Sequence, residues 1–296
     1  MSKSKTVSLV LGSGGARGLA HIGIIRWLEE HGFKIASVSG SSMGALIGGV
    51  YAMGKLDEYE RWVKAIDKMD IITLLDIAWE SSGLIKGDKI IDTLIELVGD
   101  QHIETLPIRY TAVASDIQRE KEVWINSGRL FDAIRASISL PLFFTPVERN
   151  GILLIDGGVL NPVPIAPTFH DNTDLTIAVN LGGKVEKRYE VTPKRLPKKE
   201  RKPHDLTDKI RHFIHDLKES AGSVAEIDFG AYDIANQAFD AMQSTIAREK
   251  LAAYPPDFTV EIPRNACGTL EFDRAEEMIA LGYARAEEQL KTLLES

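Results

Sequence analysis

The stretch that decides the fold is IASVSGSSMGALIGG, residues 35–49. Its first five residues lie between two glycines and predict a short buried strand. Gly40-Ser41-Ser42-Met43-Gly44 then predicts a tight turn, and the small residues that follow predict a helix able to pack closely. The stretch therefore predicts a strand that turns directly into a helix.

The same arrangement occurs earlier in the chain. Residues 6–11 (TVSLVL) predict a buried strand that ends at Gly12-Ser13-Gly14-Gly15, and residues 18–32 carry apolar side chains at helical spacing. Residues 108–116 and 174–181 predict further strands. A strand, a glycine turn and a helix, twice in succession, are typical of a parallel sheet covered by helices, so we expect an α/β fold.

The remaining predicted elements show no internal repeat. Helices are predicted at 57–82, 88–99, 130–138 and 205–249, a β-rich stretch at 143–155, and a strand at 257–263. A final amphipathic helix places five residues on one face, namely Ala275, Ile279, Gly282, Ala286 and Leu290. We expect one domain over residues 1–296, with a helical C-terminal part and a basic excursion at about 183–206.

Composition excludes several classes of protein. The chain has 296 residues, 44% of them hydrophobic, which is enough for a large core without disulfides or metals. Its one cysteine, Cys267, excludes a disulfide framework, and a net charge of −8 disfavours a general nucleic-acid binder. The apolar run near the N-terminus is too short for a signal peptide, and no segment approaches the roughly 18 apolar residues of a spanning helix. We expect a cytoplasmic protein of unknown oligomeric state, in at most peripheral contact with the inner membrane face.

The excursion at about 183–206 has two interpretations. Nine basic residues lie between Lys184 and Lys202, against three glutamates. They could form a solvated loop. They could also form a patch attracted to anionic lipid head groups, each contributing on the order of 1 kcal/mol near such a surface.

The turn Gly40-x-Ser42-x-Gly44 has the form of a nucleophile turn. Glycines two residues either side let strand and helix approach, while the serine hydroxyl stands out at the edge of the sheet. The turn also places Ser42 and Met43 at a helix N-terminus, which favours developing negative charge. A turn selected for packing alone is the competing interpretation, because the pattern arises by chance in about one such chain in ten. The preceding strand and following helix favour Ser42 as a nucleophile.

The glycine loop after the first predicted strand suits two chemistries, phosphate binding and an oxyanion hole. It lacks the Gly-Lys-Ser/Thr ending of a P-loop and the Gly-x-Gly-x-x-Gly spacing of a dinucleotide site, and no acidic residue ends the second strand. We therefore predict an oxyanion loop made of Gly14, Gly15, Ala16, Arg17 and Gly18. The Arg17 side chain could orient this loop, attract an anionic head group, or serve packing.

Asp156 is the candidate base. It follows the apolar run 152–155 and precedes Gly157-Gly158, so it ends a predicted buried strand in a glycine turn. Asp-Gly is also a common turn dipeptide, and from these residues alone both interpretations stand. A carboxylate with a pKa near 4 is about 2.5 units less basic than imidazole, or roughly 3.4 kcal/mol. Desolvation beside the serine would raise that pKa and recover part of the deficit.

A Ser-Asp-His triad is the alternative, and it needs a histidine after the acid. Four histidines are available there: His170, His204, His212 and His215. None ends a predicted strand in a loop with small neighbours. His21 lies one turn into the helix after the glycine loop, where a packed or capping histidine is the more common finding.

Together, the glycine loop, the serine turn and Asp156-Gly157-Gly158 resemble the patatin-like phospholipase family, and specifically its bacterial members. Residues 135–147 also resemble the family's segment before the aspartate, and the likeness covers roughly residues 5–183. The resemblance implies a three-layer α/β/α sandwich with a mainly parallel sheet. It also implies a serine–aspartate dyad of Ser42 and Asp156, which acts without histidine on acyl esters of lipids through an acyl-enzyme. It implies no metal and no organic cofactor.

Ser13 departs from the family pattern, because many members carry another glycine there, and this leaves the loop's conformation open. The competing hypothesis is a regulatory or lipid-binding protein of low turnover that keeps the patatin-like site. The basic excursion motivates that hypothesis.

Overall fold

The computed structural model of the chain describes residues 4–66, 70, 87–141, 143–186 and 229–294. Most of the predicted basic excursion, from residue 187 onward, lies outside these residues. So do parts of the helices predicted at 57–82 and 205–249.

Eight strands form one sheet. They are β1 (Thr6–Leu11), β2 (Lys34–Ser41), β3 (Arg109–Asp116), β4 (Lys121–Ile125), β5 (Val147–Arg149), β6 (Ile152–Asp156), β7 (Leu175–Gly183) and β8 (Phe258–Pro263). Their order is β5-β6-β3-β2-β1-β7-β8, and β4 pairs with β3. β1, β2, β3, β7 and β8 are parallel, whereas β4, β5 and β6 join antiparallel. The predicted α/β fold with a mainly parallel sheet is confirmed.

Seven helices are present in the described ranges. They are α1 (Ala20–Glu30), α2 (Met43–Ala52), α3 (Leu56–Val63), α4 (Asp88–Val98), α5 (Leu130–Ser137), α6 (Phe229–Ala253) and α7 (Ala275–Gln289). A short 3-10 turn, Gly15–Leu19, precedes α1. None of these helices is long and apolar enough to cross a membrane.

The sheet has a core on each face, as alternate residues of β1 demonstrate. Val7, Leu9 and Leu11 belong to the large core with α1, α2 and α7, whereas Val10 packs with Ala247 of α6 on the other face. Because successive strand residues point to opposite faces, the sheet lies between two helical layers. The predicted three-layer sandwich is confirmed.

The final helix packs as its pattern predicts. Its five face residues are buried, and α7 crosses α1 very closely. A Cβ on Gly282 would lie 1.9 Å from the Ala20 carbonyl oxygen, and one on Gly23 would lie 2.0 Å from that of Ile279. Glycine at both positions allows the two backbones to touch.

The structure adds two details to the predicted sheet. Within the β-rich stretch 143–155, β5 and β6 form a hairpin, because Asn150 and Gly151 both take positive φ (53° and 72°), as a tight two-residue hairpin turn requires. β4 has no predicted counterpart. Its exposed Lys121 and half-buried Glu122 give no buried apolar run, and its strand form depends on pairing with β3.

Candidate active site

Ser42 lies between the end of β2 and the start of α2, in a strained backbone conformation. Its φ of 54° lies in the left-handed region, which a residue with a side chain rarely adopts. A Cβ on Gly40 would lie 2.3 Å from the Gly44 carbonyl oxygen, and one on Gly44 would lie 2.0 Å from that of Leu11. Both positions therefore require glycine, and their close packing holds Ser42 at the carboxyl edge of the sheet.

A second serine holds the backbone of Ser42. The Ser42 amide donates to Ser137 Oγ at 2.9 Å, and the Ser137 hydroxyl donates onward to the Val113 carbonyl at 2.6 Å. Ser137 is fully buried at the end of α5. It lies in the segment 135–147 that carries the family resemblance, but nothing in that segment's pattern indicates this contact.

Asp156 ends β6 directly beside Ser42. The Ser42 hydroxyl donates to Asp156 Oδ2 at 2.6 Å, and the Gly158 amide donates to Oδ1 at 2.7 Å. The Asp156 amide donates to the Ser139 carbonyl at 2.9 Å, which fixes the backbone as well. Both carboxylate oxygens and the backbone of Asp156 are thus held by named partners.

The turn Asp156-Gly157-Gly158, called the aspartate turn below, leaves no room for larger residues. A Cβ on Gly157 would lie 1.9 Å from the Val113 carbonyl oxygen, and one on Gly158 would lie 2.4 Å from Ser13 Oγ. The aspartate turn therefore packs against β3 on one side and against Ser13 of the glycine loop on the other.

Burial sets the electrostatics of this carboxyl group. Asp156 is 1% exposed, and this loss of solvation raises its pKa to about 7, against the opposing hydrogen bonds from Ser42 and Gly158. Imidazole has an ordinary pKa near 6.5, so a carboxylate in this environment is about as basic as a histidine. The pKa difference from imidazole that is expected for an ordinary carboxylate is therefore absent here.

The glycine loop, residues 12–18, runs along the other side of Ser42. Gly15 has a φ of 57°, and a Cβ there would lie 2.5 Å from the Thr269 carbonyl oxygen. The Ser13 and Ala16 amides donate to carbonyl oxygens elsewhere in the fold, at 2.8 Å each. Within the described ranges, the Gly14 and Gly15 amides have no backbone acceptor. Because Gly15 lines the same pocket as Ser42, these two amides are candidate donors to a group bound there.

The loop also touches the nucleophile turn. A Cβ on Gly18 would lie 2.5 Å from that of Met43, the first residue of α2. Arg17 is buried, and its side chain pairs with Asp240 and donates to the Arg264 carbonyl at 2.8 Å. Of the three roles considered for Arg17, this burial favours orienting the loop over attracting a head group.

Two of the histidines considered from the sequence, His21 and His170, lie in described residues. His21 is fully buried with Nε2 2.9 Å from the Gly12 carbonyl oxygen, and burial lowers its pKa to about 4. His170 is exposed, and neither histidine is hydrogen-bonded to Ser42 or Asp156. The other candidates, His204, His212 and His215, lie outside the described residues.

An apolar pocket opens beside Ser42. Its empty volume, open solvent at the mouth included, is about 790 Å³, and α2, α3, α4 and the segment 138–144 together supply most of its walls. Val63 and Leu94 are deep and fully buried, whereas Phe143 and Phe144 are half-exposed. A concave lining of this apolar kind is typical of a site for an apolar ligand.

Comparison with known proteins agrees with the resemblance. The family model for patatin-like phospholipase matches residues 9–169. An uncharacterized NTE family protein of Mycobacterium tuberculosis is 39% identical over 98% of this chain and 92% of its own length.

Two fungal proteins extend this relationship. The lysophospholipase NTE1 of Kluyveromyces lactis is 28% identical and that of Emericella nidulans 29%, each over 98% of this chain but only 20% and 18% of its own length. The structure of VipD from Legionella pneumophila aligns over 99% of this chain and 67% of that one, at a TM-score of 0.48 and 14% identity, too distant to add support. The family match and the mycobacterial relative together identify the chain as a member of the patatin-like phospholipase family.

Proposed function

We propose that the protein is a serine acyl hydrolase that cleaves acyl esters of lipids, of the phospholipase A, lysophospholipase or esterase type. The observation that carries the proposal is the 2.6 Å hydrogen bond from Ser42 Oγ to a buried carboxyl at the edge of an apolar pocket. Acyl transfer needs at least a nucleophile that is paired directly with a general base whose pKa lies near the working pH.

The proposed reaction has two stages. Asp156 takes the proton of Ser42 as Oγ attacks the ester carbonyl carbon, and the Gly14 and Gly15 amides hold the developing oxyanion. The intermediate then expels the alcohol, which takes the proton from Asp156, and leaves an acyl-serine. In the second stage Asp156 takes a proton from water, the water attacks the acyl-serine, and the fatty acid leaves as Ser42 regains its proton.

The pocket supports an acyl chain as the part of the substrate bound beside Ser42. Each buried methylene contributes about 0.8 kcal/mol, so affinity should rise with chain length until the pocket is full. The lysophospholipases among the relatives point to the same substrate class. The low-turnover alternative depends on the basic excursion, most of which lies outside the described residues, whereas the paired serine and carboxyl favour turnover.

Hydrolysis of p-nitrophenyl esters tests the proposal. Ser42→Ala and Asp156→Asn should each lower kcat by at least about 10³-fold while the protein stays folded. Ser41→Ala is the matched control, because the Ser41 hydroxyl is buried with no partner among the described residues, and its activity should stay near wild type. A fluorophosphonate probe should label Ser42. Full activity of Asp156→Asn, or an unlabelled Ser42 in protein that binds liposomes tightly, would contradict the proposal.

Chain length provides a second arm of the same assay. Val63 lies in the deep part of the pocket, so Val63→Phe should reduce kcat/KM for a long-chain ester several-fold more than for the acetate. The acetate serves as the internal control for folding. An equal loss on both esters would argue against acyl binding in this pocket.

A further inference from the structure

One face of α6 is polar and contacts the candidate site. Asn236, Asp240, Gln243, Ala247 and Lys250 follow each other at steps of four, three, four and three residues, so they share one face of the helix. Ala247 packs into the smaller core. The four polar residues each bond to a different residue outside α6, and two of these partners, Ser13 and Arg17, lie in the glycine loop.

Asp240 is bonded to the oxyanion loop through Arg17. The Arg17 guanidinium donates to both carboxylate oxygens of Asp240, at 2.8 and 3.1 Å. The arginine side chain is 4% exposed and that of the aspartate 23%. A two-pronged pair of this kind fixes orientation as well as distance. Arg17 lies between Ala16 and Gly18, so the pair restrains the middle of the loop.

Gln243 lies between the oxyanion loop and the aspartate turn. Its Nε2 donates to Ser13 Oγ at 2.9 Å, and both side chains are buried. A Cβ on Gly158 would lie 2.2 Å from the same nitrogen. Because the Gly158 amide holds Asp156, this one side chain touches both halves of the site.

Asn236 reaches the loop indirectly. It donates to Thr269 Oγ1 at 2.9 Å, and the Thr269 carbonyl accepts the Ala16 amide at 2.8 Å. At the other end of the face, Lys250 pairs with Glu122 at 3.3 Å. That pair attaches the same helix to β4 and does not contact the loop.

We propose that Asp240 and Gln243 are positioning residues, which hold the oxyanion loop in its active geometry from a helix more than 200 positions away in sequence. The inference rests on the proposed function, because it requires that the Gly14 and Gly15 amides stabilise an oxyanion. Removal of one such donor typically costs about 10²–10³ in rate, and a displacement of about 1 Å can cost about 10². Ser13, which departs from the family's glycine, here supplies the acceptor for Gln243.

The test compares three variants on this helix face. Asp240→Asn keeps the shape of the side chain but removes its charge, and Gln243→Leu removes the donor to Ser13. We expect each to lower kcat for a p-nitrophenyl ester by roughly tenfold or more and to leave KM within about twofold, because neither residue lines the acyl pocket. The rate of labelling by a fluorophosphonate probe should fall in parallel. Lys250→Met is the matched control and should keep both values near wild type.

Thermal unfolding and circular dichroism check that each variant is folded. If either folded variant keeps wild-type kcat, or if kcat and KM change together as in a loosened structure, the positioning role is wrong. A loss of kcat in Lys250→Met as large as in Asp240→Asn would also overturn it, because attachment of the helix alone would then suffice. An inactive wild-type protein would instead refute the proposed function, and the inference with it.

Discussion

The two glycine turns of the site are alike in sequence but are held in place by different means. The nucleophile turn, residues 40–44, is fixed mainly by its own backbone and by the adjacent strand β1, with one further hydrogen bond from the Ser42 amide to Ser137 of α5. The glycine loop, residues 12–18, is held by contacts from distant parts of the chain, including Pro162, Asp240 and Thr269. The difference teaches that a local motif can encode most of the conformation of the serine turn, whereas the conformation of the glycine loop depends on the completed fold.

Among the changes that test this difference, Gly44→Ala should have the largest effect, and it should lower the free energy of unfolding. The added Cβ would lie 2.0 Å from the Leu11 carbonyl oxygen and 2.9 Å from that of Gly12, so backbone would have to move. We expect a loss of at least about 3 kcal/mol in the free energy of unfolding, measured by chemical denaturation. Gly54→Ala, at the other end of α2, is the control: its φ is 75° but nothing lies within 4 Å of the Cβ. Its loss should be about 1 kcal/mol. Equal losses would mean that strain, rather than contact, fixes the nucleophile turn.

The pH profile should show the next largest effect. Because burial raises the pKa of Asp156 to about 7 and the ionised form is the base, kcat/KM should fall about tenfold per unit below pH 7 and level off above it. Products should be quantified by chromatography, because nitrophenol itself titrates in this range. A flat profile from pH 5 to 8 would show that Asp156 is not the base.

The same carboxyl group links stability to pH. Between about pH 4 and 7 the folded state keeps this proton, while the unfolded chain, with a pKa near 3.9, releases it. The free energy of unfolding should therefore fall as pH rises through this window. Asp156→Asn should lack this fall when the two proteins are compared by denaturation at pH 4, 5.5 and 7.

Ser13→Gly should have the smallest effect and bears on the oxyanion loop alone. It restores the glycine common in the family and removes the acceptor for Gln243, while the Arg17–Asp240 pair remains. Loss of one hydrogen bond, worth about 0.5–1.5 kcal/mol, predicts a two- to tenfold lower kcat. The midpoint of the pH profile should stay unchanged, because the surroundings of Asp156 are kept. A shifted midpoint would mean that the loop also influences the pKa of Asp156, and that the two parts of the site are not independent.

The sequence was a good guide wherever structure depends on neighbouring residues. The strand–turn–helix units, the serine turn and the buried face of the final helix follow from local spacing. It was a poor guide to β4, whose strand form depends on β3, and to Ser137, whose hydroxyl meets the Ser42 amide only after α5 packs against β3. It indicated β structure over 143–155 without dividing the stretch at Asn150-Gly151, where the hairpin of β5 and β6 turns.

The sequence by itself determined that Ser42 follows a strand, precedes a helix and is flanked by glycines, because these features are encoded within a few residues. It left Asp156 undecided, since a turn aspartate and a base have the same local pattern. Only the tertiary structure brought the Asp156 carboxyl within 2.6 Å of Ser42 Oγ, removed it from water and raised its pKa to about 7. Desolvation depends on everything packed around a group, and the neighbours of Asp156 include β3, the serine turn and Ser139, which are distant from it in sequence.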